Sequence, residues 1–428
     1  MNDVSNSAFD SASIDVLIVG AGPAGLAAAI ELRRLGVQRV VVAERELEPG
    51  GIPRHSQHLG YGIRDLRRLM NGPSYARRYA RMAERSGVEL RLSTTVFDAS
   101  PAANNARAVV LSTGVRERPR AARLVAGARP AGIYTTGSLQ QLVMAGIPVG
   151  SRAVIVGAEH VSYSAILTLR HGGCRPVAMV TDLPAHQTYR PLAAATAGRN
   201  GVELVVGRRV VDIAGQRRVE AVVLDDGRRI ACDTVVFTGD WIPDHELARH
   251  SGLAIDCGTN GPAVDSSFRT SVAGVFATGN LLHGAETAEV CALEGRRAAR
   301  SIADFLCGTD RWWPPSGPDM IVESPLLWVS PNRLSALRAA IGSPSARSST
   351  SLISPSRATD RWRFTLRTAQ NLGRRAIEVR QHGLLLWSGR PVGTASPNRS
   401  FTIASTWQRS ADPDPAAPIT LTVANRVR

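Results

Sequence analysis

The run IDVLIVGAGPAGLAAAIELRRLG, residues 14–36, constrains the fold more than any other part of this chain. An apolar strand enters a turn with glycines at 20, 22 and 25, and an Ala- and Leu-rich helix follows. A second apolar strand, Val40 to Ala43, ends at Glu44 and Arg45. That order predicts a parallel β–α–β unit of the dinucleotide-binding kind. Gly20 permits the tight turn, Gly22 lets the backbone approach a pyrophosphate, and Gly25 lets helix and strand pack closely. The helix start, running through Pro23 and Ala24, offers free amides and a positive dipole end to phosphates. Glu44 stands where a carboxylate accepts hydrogen bonds from ribose hydroxyls.

A second copy of this architecture begins near Ser151, in SRAVIVGAEHVSYSAILTLRHGG, with Pro176 to Thr181 as the next strand. Its fingerprint is damaged. Gly157 holds the first position, but Glu159 replaces the second glycine and Ser162 the third. A carboxylate facing dinucleotide phosphates in a dry site is strongly unfavourable, so this domain is expected to bind NAD(P)H poorly or not at all. Asp182, after that next strand, would suit NAD over NADP.

The length of 428 residues calls for two or three domains. The formal charge of +15 invites a nucleic-acid reading, yet the chain contains no lysine, and its arginines are spread in pairs such as Arg33-Arg34 and Arg296-Arg297. Without a dense basic tract, no nucleic-acid partner is expected. The most apolar stretch, Val16 to Ile30, is too short and too broken by glycines to span a bilayer, and the acidic opening lacks a secretory pattern. A cytoplasmic protein is expected. The five cysteines form no C-x-x-C, which leaves no local redox disulfide and no metal-site spacing.

The last third differs, with six of the seven tryptophans at or after Trp312. WWPPSGP, residues 312–318, reads as a linker, and the Ser-rich stretch 342–359 as a loop. Period-two runs at 362–367, 376–380, 383–387, 400–405 and 419–423 predict a small antiparallel β domain. The fold expected is α/β: two Rossmann-like dinucleotide-binding domains, the second inserted in the first, and a C-terminal β-rich domain. The expected boundaries are 1–120 with 250–310, 121–249, and 311–428.

Over residues 14 to 305 the chain resembles the two-dinucleotide-domain flavoproteins that include the pyridine nucleotide–disulfide oxidoreductases. The turn GAGPAG with Glu44, the pair Gly50-Gly51, VLSTG at 110–114, VVFTG at 235–239 with Pro243, and TSVAGVFATGN at 270–280 carry the resemblance. It implies FAD, held by Gly20, Gly22, Pro23, Ala24, Gly25, Glu44, Arg45, Gly50, Gly51, Thr113, Gly114, Gly279, Asn280 and Thr287. Asn280 stands where the family's closing motif has an aspartate. Neither of the family's cysteine-pair motifs is present, which argues against disulfide reduction. GGIPRH and VGAEHVSYS look similar to the α-type subunits of amine and amino-acid dehydrogenases such as those for sarcosine, opines or hydroxyproline.

The resemblance implies that the loop after Gly51 lies near the flavin ring. Arg54 would then hold a substrate carboxylate, and His55 or His58 would take the proton released on hydride transfer. Tyr61 lies in the same loop. After the closing motif, Gly284 to Thr287 is expected to open a helix toward the flavin, with His283 as a further proton carrier or packing residue. The run RERPR, 116–120, reads as a solvated connector. The function implied is an FAD-dependent oxidoreductase taking hydride from a small amine, amino acid or related substrate, with a partner subunit or electron-acceptor protein. Two alternatives stand beside it: an NAD(P)H-dependent flavin reductase passing electrons to a partner, and a non-catalytic flavin-bound scaffold.

Overall fold

A computed structural model describes residues 13–284, 286–308, 313, 317–335 and 363–424. It forms two compact units: residues 1–51, 76–114 and 243–428, and residues 52–75 with 115–242.

The first unit is built on a five-stranded parallel sheet in the order 275–277, 106–111, 14–19, 40–43 and 89–91. Parallel strands covered on both faces read as continuous apolar runs, and Val16, Leu17 and Ile18 are completely buried. The helix Pro23–Arg34 follows the first strand, with Pro23 in its first turn. It packs on the long helix Ala288–Leu306. The approach is so close that a Cβ on Gly295 would lie 2.1 Å from the carbonyl oxygen of Ala24. The expected helix opening at Gly284–Thr287 lies further along the chain: Thr287 is the N-cap and the helix begins at Ala288.

The C-terminal strands belong to this same unit. One sheet has the order Met320–Val322, Ile419–Val423, Ile377–Gln381, Leu384–Gly389, and another Leu326–Ser330, Arg363–Thr368, Phe401–Ala404. Alternate residues such as Phe364, Leu366, Ile377 and Val379 are buried in one core, which is the physical content of the period-two pattern. The domain is not purely antiparallel, because Met320–Val322 pairs parallel with Ile419–Val423. Trp313 is a packed residue rather than part of a linker. Its indole donates to the Thr270 carbonyl at 3.0 Å and meets Phe276 and Phe305 edge-on. The Ser-rich stretch 342–359 lies outside the described residues.

The second unit repeats the plan. Its five-stranded parallel sheet runs 203–206, 175–181, 152–156, 234–237, 133–135. Strand Arg152–Val156 leads through Gly157–Glu159 into helix His160–His171. An antiparallel meander of 210–214, 221–224 and 229–231 joins it. The connector at 116–120 is not simply solvated. Val115–Glu117 is a strand, and the Glu117 carboxylate accepts from the Thr136 and Gly137 amides at 3.1 and 2.6 Å, occupying the start of helix Thr136–Met144. Burial pushes the Glu117 pKa up, against these hydrogen bonds.

Candidate functional site

In the first unit, the turn between strand Ile14–Val19 and helix Pro23–Arg34 has the form that an anion cradle needs. Gly20 sits at φ +105°, and a Cβ there would lie 2.6 Å from the Ser112 carbonyl oxygen. A Cβ on Gly25 would lie 2.1 Å from the Gly20 carbonyl oxygen. At Gly22 the opposite holds: nothing lies within 4 Å of where a side chain would begin. Two glycines therefore close the turn and one opens it to a ligand, at a helix N-terminus whose first amides have no intrahelical acceptor.

Glu44 is buried beside this turn. Its carboxylate accepts from the Ala21 amide at 2.8 Å and the Glu46 amide at 3.0 Å, one on each oxygen. A carboxylate has about four lone-pair positions, so each oxygen keeps capacity for a hydroxyl. The Gly50 amide donates to the Ala21 carbonyl at 2.8 Å, which folds the loop from Glu44 to Gly51 back over the turn. Gly51 comes against Gly22, with its Cβ position 3.1 Å from the Gly22 Cα.

The crossing residues meet through Asp244, which sequence reasoning missed. Thr113 donates from its hydroxyl to the Asp244 carbonyl at 2.8 Å, the Asp244 amide donates to Gly114, and Arg45 reaches the Asp244 carboxylate at 3.3 Å. Asp244 follows Pro243, the proline of the return crossing, and that adjacency was the available signal. Gly279 packs on the first helix, its Cβ position 2.6 Å from that of Ala24. Asn280 uses both ends of its side-chain amide on one backbone. It accepts from the Glu286 amide at 2.7 Å and donates to the Glu286 carbonyl at 3.1 Å. It thus clamps the loop that leads to Thr287.

His283 is buried, with Nε2 3.1 Å from Glu294 and its ring stacked on Trp328 at 5.8 Å. Burial works against its protonation, but Glu294 and then Glu286 outweigh this and hold its pKa above the ordinary value. Arg367 lies over the same indole, 5.2 Å from the ring centre. The residues proposed for proton transfer fall in the second unit. Arg54 and His55 end a short 3-10 turn, Ile52–His55. His58 has both nitrogens engaged, Nδ1 with the Leu59 carbonyl at 2.9 Å and Nε2 with the Ser164 hydroxyl at 2.7 Å. Burial lowers its pKa, opposed by the Leu59 carbonyl.

All five cysteines are free thiols, and Cys174, Cys232 and Cys291 are buried. Burial pushes Cys174 and Cys232 up to about 11. These are inert packing residues. Among the described residues no helix is long and apolar enough to cross a membrane.

The family model for pyridine nucleotide-disulphide oxidoreductases matches residues 14–295, and the chain belongs to that family. Among curated relatives, the probable ferredoxin reductase CtmF of Castellaniella defragrans is 28% identical over 290 residues, 62% of this chain and 67% of that protein. An opine oxidase subunit from Agrobacterium tumefaciens is 28% identical over 346 residues, 68% of this chain and 66% of the relative. Among solved structures, thioredoxin reductase of T. acidophilum superposes with a TM-score of 0.58 at 20% identity, covering 68% of this chain and 98% of that one. This last likeness confirms the fold.

The family binds FAD, and the residues of the first unit fit it. The open space at Gly22 and the amides after it would take the pyrophosphate, and the spare lone pairs of Glu44 the adenosine ribose. The loop held by Asn280, and the helix start at Thr287, would take the flavin end.

Proposed function

We propose that this chain is an FAD-dependent oxidoreductase that takes hydride from a small amine, amino acid or related substrate and passes the electrons to a partner subunit or electron-acceptor protein. It is not a disulfide reductase. The observation that supports this reading most is the contrast between the two glycine turns. The first is open at Gly22 and lined for FAD, whereas the second carries a buried carboxylate, Glu159, where NAD(P)H would need a glycine. All five cysteines are free thiols, three of them buried and Cys257 and Cys307 exposed, and the absence of any C-x-x-C pair supports the exclusion of disulfide chemistry. Bound FAD would supply the hydride acceptor. The chain's own residues bind and orient: Gly22, Ala24, Gly25 and Glu44 hold the adenine half, Thr113, Gly114 and Gly279 shape the path beside it, and Asn280 and Thr287 set the loop at the flavin end. Arg54 is proposed to hold a substrate carboxylate, and His55 or His58 to carry the proton. The expected organisation is an FAD domain over 1–120 and 250–310, the inserted domain 121–249, and a C-terminal domain 311–428.

The names of the relatives favour a second reading at least as strongly. CtmF and the ferredoxin reductase components of the chlorobenzene, biphenyl and benzene dioxygenase systems are all similar to this chain. An NAD(P)H-fed reductase passing electrons to an iron–sulfur protein is that reading. The anaerobic visible spectrum of the FAD-loaded protein separates the two. Bleaching by an amine or amino acid, with none by NADH or NADPH, supports the first. Rapid bleaching by either nucleotide overturns it and establishes the reductase.

A further inference from the structure

Glu159 stands at the N-cap of helix His160–His171, a twelve-residue helix whose first amides face the turn. Its side chain does not point away from that turn. One carboxylate oxygen accepts from the Ala158 amide at 3.0 Å, and the other is buried with no hydrogen-bond partner. The whole residue is only 7% exposed. The position is fixed by two glycines. A Cβ on Gly157 would lie 2.8 Å from one carboxylate oxygen, and a Cβ on Gly239 would lie 2.5 Å from the other. The carboxylate therefore fills the concavity between the end of strand Arg152–Val156 and the end of strand Thr234–Phe237, directly before the helix.

A buried carboxylate with an unpaired oxygen is costly unless positive charge compensates it. Two sources are present. The helix N-terminus contributes the positive end of its dipole, without a side-chain cap bond from Glu159 to the helix amides. The second source is Arg123, whose guanidinium donates to the Thr238 and Gly239 carbonyls at 3.0 and 2.8 Å, at the very segment that Glu159 packs against. Arg123 interacts electrostatically with Glu159, and with Asp240 and Glu117. These are the elements that ordinarily receive a phosphate: helix amides, a glycine turn and a cation. Here one side chain of the protein supplies the anion.

We propose that the Glu159 carboxylate is a built-in substitute for the dinucleotide pyrophosphate, and that this one residue is what closes the second cradle to NAD(P)H. At the third position Ser162 stands in place of the glycine, its hydroxyl 2.7 Å from that of Thr238, and the other parts of the cradle are kept. Gly157 keeps its turn at φ +134°, the Gly157 amide donates to the Val180 carbonyl, and Asp182 follows strand Arg175–Thr181 with its side chain exposed. Removing the plug should open a working site that prefers NADH, because Asp182 repels the 2′-phosphate of NADPH. This inference deepens the first reading above by naming what excludes the nicotinamide cofactor.

The test uses FAD-loaded full-length protein, wild type beside Glu159→Gly and Glu159→Ala, with NADH and NADPH titrated in turn by isothermal calorimetry. Flavin content and thermal melting establish that each variant is folded; the alanine form serves if the glycine form is not. The wild type should show no saturable binding, and the variant should gain at least about tenfold in NADH affinity, with a smaller gain for NADPH. A folded variant without that gain, or with equal gains for both nucleotides, overturns the inference and leaves the proposed function standing. Saturable binding of NADH to the wild type overturns the inference. If the wild-type flavin is also bleached by NADH, the first reading fails with it.

Discussion

The carboxylate of Glu44 accepts the amide of Ala21 at 2.8 Å, across twenty-three residues of sequence. The bond joins the end of the second strand to the glycine turn after the first, so the residue that would hold the ribose also fixes the turn that would hold the pyrophosphate. Glu44→Ala should leave a buried amide unpaired, a cost of about 1–3 kcal/mol, and should weaken FAD binding by about tenfold or more. Titration of the apoprotein with FAD, followed by flavin fluorescence, checks this. Unchanged affinity would remove Glu44 from the site.

Gly22 and Gly25 should respond differently to one added methyl group. At Gly22 it meets empty space, so Gly22→Ala should melt within a few degrees of the wild type yet bind FAD more weakly. At Gly25 it would sit 2.1 Å from a backbone oxygen, so Gly25→Ala should force strand and helix apart. Overpacking of this kind costs about 1–3 kcal/mol. Paired melting curves and FAD titrations of the two variants separate the roles.

His283 and Glu294 make a buried pair whose His pKa is raised. A group with a raised folded pKa contributes stability that is fully present below its unfolded pKa and is lost as pH rises through the folded one. Emission from Trp328, stacked on the ring, should therefore change on the alkaline side of the ordinary histidine range. Glu294→Gln should move that transition to lower pH. A transition that stays in place in the variant would remove Glu294 as its cause.

Asp265 and Arg269 form an ion pair at 2.6 Å with both side chains almost fully buried. Asp265→Asn leaves the guanidinium uncompensated and should destabilise the protein by about 3–5 kcal/mol, read from urea unfolding. A shift below about 1 kcal/mol would place the pair among solvated surface contacts.

The parts of this molecule written locally were legible. Strand, glycine turn, helix and Glu44 are written in one consecutive stretch, although Ser112, Gly279 and Gly295 complete its packing, and the damaged copy at Gly157 and Glu159 showed itself by the same consecutive pattern. The strands after Arg363 were legible from alternation, because four of them bury alternate residues, while Leu384–Gly389 has no buried residue. What stayed hidden depends on distant partners. Thr113 meets Asp244 across 131 residues, with Pro243 beside Asp244 as the local hint. Glu117 looked solvated because four charges crowd into RERPR, yet its carboxylate is claimed by a helix start about twenty residues on. Met320–Val322 is three residues long and pairs parallel with a strand near the other end of its domain, which leaves no hairpin turn to read. Asn280, which the resemblance would turn toward a cofactor hydroxyl, spends both of its polar atoms on Glu286.

Arg269 also donates to Ser335 at 3.0 Å, the Ser335 amide donates to Ser266, and Val264 and Asn332 bond in both directions. The segment that closes the flavin domain is thus stitched to the strands beyond it by buried polar atoms on both sides. A truncated gene ending at residue 310 would keep every residue assigned here to FAD, and would still expose Asp265 and Arg269 to water. The family match stops at 295, but the smallest piece of this chain that can be expected to stand alone does not.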